Sequence, residues 1–92
     1  MKNIFKVVAQ GEAYAVQSQK AENGQLMKCN IVLQEVNGKY ADTYVAAMLG
    51  GMASCRFYPN EVVCASLHFT AREYNGQMFQ DIVVNDIIKL KP

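Results

Sequence analysis

The chain has 92 residues, room for one domain and too few for two. Apolar residues make up 51% of it, which excludes a disordered polypeptide. Nine Lys and Arg stand against eight Asp and Glu, a formal charge of +1, so the bulk charge does not advertise a nucleic-acid binder and any attraction to a charged partner has to come from a local patch. The three cysteines, Cys29, Cys55 and Cys64, form no C-x-x-C pair, and His68 is the only histidine. A disulfide framework and a zinc site are therefore not expected, and Cys29 and Cys64 read as small apolar strand residues.

In chain order, the first run extends from about Asn3 to Ser18. Its apolar part, Ile4-Phe5-Lys6-Val7-Val8-Ala9, is too short and too charged for a signal peptide, and no stretch reaches the ~18 apolar residues of a membrane span. A soluble, cytoplasmic protein is the expectation. The run is long for one strand, and Gly11 sits inside it where a bulge or sharp bend is expected. Such a bent strand can pair with two neighbours.

Glu22-Asn23-Gly24, Asn37-Gly38 and Asn75-Gly76 each separate two β-rich runs. Asn-Gly favours hairpins because both residues tolerate the positive φ of a type I′ turn. From Met27 to Val36, one phase carries Met27, Cys29, Ile31 and Leu33, and the other Lys28, Asn30, Val32 and Gln34. From Tyr40 to Leu49, one phase carries Thr43, Val45, Ala47 and Leu49. The other carries Tyr40, Asp42, Tyr44, Ala46 and Met48, and is assigned to the outer face.

The segment from Gly50 to Asn60 breaks the pattern and predicts a short helical turn, stopped before Pro59, with Phe57 plugging the end of the structure. From Val63 to Tyr74 the expected inner set is Val63, Ala65, Leu67, Phe69 and Ala71. The outer set is Cys64, Ser66, His68, Thr70, Arg72 and Tyr74. In the last run, Met78 to Leu90, Ile82 and Val84 share a phase that Ile87 leaves, which predicts a bulge or strand end near Asn85-Asp86.

Period two over these lengths means half-buried antiparallel strands. Five of them with one helix between strands three and four is the order of an all-β, five-stranded antiparallel OB-fold barrel, filling residues 1–92 as one domain. Closure also removes the exposed edges of a flat sheet. An SH3-like barrel or a β-sandwich accounts less well for the bent first strand and the single helix.

The segment Thr70-Ala71-Arg72-Glu73-Tyr74-Asn75-Gly76, followed by Phe79-Gln80-Asp81-Ile82, resembles the fourth and fifth strands of small OB-fold proteins related to bacterial single-stranded DNA-binding proteins. The long first strand and the Asn23-Gly24 turn fit the same group. The resemblance implies an oligomeric protein that coats single-stranded nucleic acid, DNA ahead of RNA, with little sequence preference. The chain departs from the group in having no tryptophan to stack on bases.

Sequence-independent single-strand binding needs cations along the backbone path and aromatic faces for the bases. On the OB plan these belong on the face of strands two and three and in the flanking loops. The candidates are Lys20 by the first loop, Lys28 on strand two, Tyr40 and Tyr44 on strand three, and Arg72 and Tyr74 before the last hairpin turn. Each has a plainer alternative. The tyrosines can pack at a subunit interface, Arg72 can pair with Glu73 or Asp81, Tyr74 can cap the barrel end, and the lysines can be solvated.

A competing expectation is an assembly module, with Val32, Tyr44, Ala46 and Met48 forming a homo-oligomer contact and nucleic acid irrelevant. A third is an oligosaccharide in the same groove. No nucleophile–base pair, phosphate loop or metal-ligand spacing is present, so neither catalysis nor a cofactor is expected.

Overall fold

The computed structural model describes residues 1–17, 24–36 and 42–90. Lys20, Tyr40, the Asn37-Gly38 turn and the Glu22-Asn23 part of the first turn lie outside the described residues. Six strands are formed: β1 (Lys2–Gln10), β2 (Tyr14–Gln17), β3 (Gln25–Glu35), β4 (Thr43–Leu49), β5 (Val62–Tyr74) and β6 (Gln77–Lys89). A 3-10 turn, Gly50–Ser54, joins β4 to β5.

The predicted long first strand is present as β1 and β2, interrupted at residues 11–13. β1 pairs antiparallel with both β3 and β5, and β2 continues along β3. The strand order β1-β5-β6-β4-β3, closed by the β1–β3 pairing, makes a barrel. One seam of that barrel is thin: β4 and β6 run parallel and register at a single pair, Ala47 with Val83.

The core is the inward phase of these strands. Phe5 and Val7, Cys29, Ile31 and Leu33, Ala46 and Met48, Val63, Ala65 and Leu67, and Val84 are all buried. Burying an aliphatic or aromatic side chain of this size contributes about 1.5–3 kcal/mol. Phe57 closes the barrel end as expected. It is held there by Gln10, whose Oε1 accepts the Phe57 amide at 2.7 Å while its Nε2 donates to the Cys55 carbonyl at 2.8 Å.

The bulge expected near Asn85-Asp86 is found. Ser66 faces Asp86 and Leu67 faces Val84, so Asn85 is the extra residue. It resets the phase of β6, which lets Ile82, Val84 and Ile87 all pack toward the core. The Asn75-Gly76 turn has φ of 52° and 77°, the positive pair of a type I′ turn.

Three expectations are corrected. Ala46 and Met48 lie inside the barrel and Tyr44 packs against the core, so β4 has the phase opposite to that expected. The cause is pairing: Tyr44 faces buried Leu33 and Ala46 faces buried Ile31 across the β3–β4 ladder, which places them on the core side. Phe69 and Ala71 are exposed, because β5 and β6 run on past the barrel as a two-stranded arm whose residues 69–80 are all exposed. The helical turn ends at Ser54, well before Pro59, with Cys55 already extended.

Candidate nucleic-acid interface

Residues directly opposite on neighbouring strands share a face. Lys28 on β3 lies between Tyr14 on β2 and Leu49 on β4. The next outward row is Asn30, Ala47, Val83 and His68, crossing the thin β4–β6 seam. The arm extends the face with three more pairs: Thr70 opposite Asp81, Arg72 opposite Phe79, and Tyr74 opposite Gln77.

Over the seam these rows enclose an open groove of about 380 Å³, with Lys28 and Asn30 on one wall and Arg72 and Asp81 on the other. Val45, Ala47, Leu49 and Val83 make an apolar floor. The groove lies where few backbone hydrogen bonds join β4 to β6, at the base of the arm.

Two of the six expected site residues, Lys28 and Arg72, meet in this groove. Tyr74 stands on the same outward face of the arm, beside the turn, and is 62% exposed. Tyr44 does not reach this surface. Its ring packs edge-to-face on Phe5 and on Phe69, and its hydroxyl donates to Glu35 Oε1 at 2.8 Å. That hydrogen bond, with burial and the nearby Glu35 and Asp42 charges adding, holds the phenol above its ordinary value. Tyr44 is therefore a support under the arm. Lys20 and Tyr40 lie outside the described residues.

The structure adds two rings that the sequence reading did not place on the site. Phe79 is 40% exposed beside Arg72, and Tyr14 is 45% exposed beside Lys28. Phe79 was legible only as the aromatic after the turn. Tyr14 carried no signal, because strand phase cannot be counted through the break at residues 11–13.

The charges are sparse. Lys28 forms no ion pair among the described residues, whereas the Arg72 Nε donates to Asp81 Oδ2 at 2.6 Å. The Arg72 guanidinium also lies over the Phe79 ring, 5.2 Å from its centroid. No group of three or more His, Cys, Asp or Glu that could hold a metal ion occurs among the described residues. The site offers stacking faces, two cations and amides for hydrogen bonding, an equipment for binding.

A barrel closed in this strand order, with a 3-10 turn after the fourth strand and a groove on its β3–β4 face, is an OB-fold. Among solved structures it is similar to the second OB-fold domain of replication protein A from Methanococcus maripaludis, with a TM-score of 0.72 over 99% of this chain and 83% of that one. Identity between the two is 13%, so the likeness is one of fold. No protein-family model and no curated protein matches the sequence.

Proposed function

We propose that the protein binds single-stranded nucleic acid, DNA ahead of RNA, along the outer face of β3 and β4 and the β5–β6 arm, with little sequence preference. One observation carries this reading: Tyr14, Phe79 and Tyr74 stand on the same continuous face as Lys28 and Arg72. Rings interleaved with cations are what sequence-tolerant single-strand binding uses, each stacked base contributing about 1–3 kcal/mol. The segment from Arg72 to Ile82, which resembles small OB-fold proteins related to bacterial single-stranded DNA-binding proteins, makes up the hairpin of the arm. A binding module fits this equipment better than an enzyme does.

The test is a titration of fluorescent oligo-dT, several tens of nucleotides long, at low salt, repeated with added salt and with duplex. Two groove cations imply a log–log salt slope near −1.4, a loss of roughly sevenfold between 50 and 200 mM salt. Equal affinity for duplex, or no binding at micromolar protein, would sink the proposal.

A second reading, assembly, is favoured by a different surface from the one expected. Ile4, Cys64 and Ile88 form a row across the outer face of β1, β5 and β6, with Ile88 55% exposed. The adjoining row is Lys2, Ser66 and Asp86. A two-fold axis along β5 would lay β1 of one copy over β6 of another, stacking the isoleucines and setting Lys2 against the second copy's Asp86. The face is thus complementary to itself in charge, and it leaves the groove open. A second copy of this chain is the occupant we propose.

A further inference from the structure

Among the outward residues of the arm, Arg72, Phe79 and Asp81 form a closed triangle. Arg72 faces Phe79 directly across the hairpin, and Asp81 is the next residue outward on the same face of β6. Asp81 Oδ2 accepts from Nε at 2.6 Å, and the guanidinium lies over the Phe79 ring. The pair is solvent-facing, with the two side chains 58% and 40% exposed, so its Coulombic worth is small. Its geometric effect is larger. Asp81 holds the cation across a ring face that a base would use, and it cancels one of the two positive charges in the groove.

A backbone phosphate offers the same acceptor chemistry as the carboxylate, and it accepts from the guanidinium in a two-pronged fork. The Nε bond to Asp81 leaves both Nη groups of Arg72 for such a fork. Phosphate can engage these first, and a fork that closes on Nε and one Nη then takes Arg72 from Asp81 and draws the guanidinium off the ring.

We propose that Asp81 is a built-in competitor for Arg72, closing a subsite that takes one stacked base on Phe79 together with its adjoining phosphate. The inference rests on the nucleic-acid reading of the groove. It also deepens it, because only a single strand can fill both halves of the subsite. Duplex supplies phosphate but no free base, so it meets the cost of breaking the Arg72–Asp81 pair without the stacking that offsets it. A single strand supplies both.

The test uses two readouts. The chain has no tryptophan, so Phe79→Trp places one indole in the subsite as a reporter. In that background and without ligand, Asp81→Ala should raise acrylamide quenching of the indole. In the parent chain, Asp81→Ala should tighten oligo-dT binding at low salt by roughly threefold to tenfold, the effect of removing one charge at contact range in water-exposed surroundings. Duplex affinity should rise by no more than the same factor, because the cost of opening the pair is common to both ligands, and the preference for single strands should persist. Unchanged quenching would overturn the closed subsite, whatever the DNA result. Weaker or equal oligo-dT binding by Asp81→Ala would overturn the competition. If neither parent nor variant bound single strands, the proposed function would be what fails, and the quenching comparison would still decide whether Asp81 closes the ring.

Discussion

Glu61 shows how single residues secure the closed end of the barrel. Tyr58, Pro59, Asn60 and Glu61 form a turn in which Pro59 holds the first corner and Asn60 takes a φ of 73°. The Tyr58 amide donates to Glu61 Oε1 at 2.6 Å, and Lys89 lies 3.3 Å from Oε2. The Tyr58 amide is the main cause holding the Glu61 carboxyl below its ordinary value of 4.5; Lys89 adds to it and burial works against it. Because the folded value is the lower one, the carboxylate stabilises the fold above pH 4.5, and that contribution is lost as the pH falls through the folded value. Glu61→Gln should therefore flatten the acid limb of thermal stability below about pH 5 and leave the pH 7–8 region level. An acid limb identical to the parent's would show that the turn does not depend on the charge. None of this could be read from the sequence, where Glu61 is one of eight acids without a visible partner.

At the scale of elements, the arm separates binding from stability. Its residues 69–80 are exposed, and at its root Phe69 touches a ring of the barrel, Tyr44. Gly76 turns it with a φ of 77°, where a Cβ would meet open space yet sit in a left-handed conformation. Gly76→Ala should cost about 1–2 kcal/mol, felt in the arm alone. Amide exchange should quicken between residues 70 and 80 while Ile31 and Leu67 keep the parent's protection, and oligo-dT binding should weaken. Uniformly faster exchange would mean that the arm and barrel open together.

The same elements show what strand periodicity conveys. It places Cys29, Ile31 and Leu33, and Val63, Ala65 and Leu67, correctly, because in each case one phase is clearly the more apolar. It fails on β4, where Val45 to Leu49 is apolar in both phases and only pairing with β3 chooses between them. It fails again on Phe69 and Ala71, whose alternation continues after the barrel beneath them has ended.

For the whole molecule, closure was legible from the interrupted first run and the single helical turn, since a strand that pairs on both sides leaves the sheet no open edge there. The groove was legible in part. Lys28 and Arg72 could be found from their strand phases, and Asp81 was among the partners the hairpin offered Arg72, whereas the place of Tyr14 depends on the register of β2 on β3. If two copies join through the Ile4–Cys64–Ile88 row, the parent should sediment as a dimer at micromolar concentration. Ile88→Glu should return it to a monomer that keeps its circular dichroism and its affinity per barrel. A monomeric parent would remove the assembly reading and leave the groove untouched.

In β3 and β4, groove residues and core residues alternate one by one: Lys28, Cys29, Asn30, Ile31, and Val45, Ala46, Ala47, Met48. This arrangement shapes how a lineage carrying the fold can evolve. Point substitutions at the outward positions can redraw ligand preference without disturbing what folds the chain. A single-residue insertion or deletion within either strand would exchange the two sets, carrying Lys28 inward and Ile31 out. Such a protein can drift between ligands in small steps, but its reading frame through these two strands is held by the core.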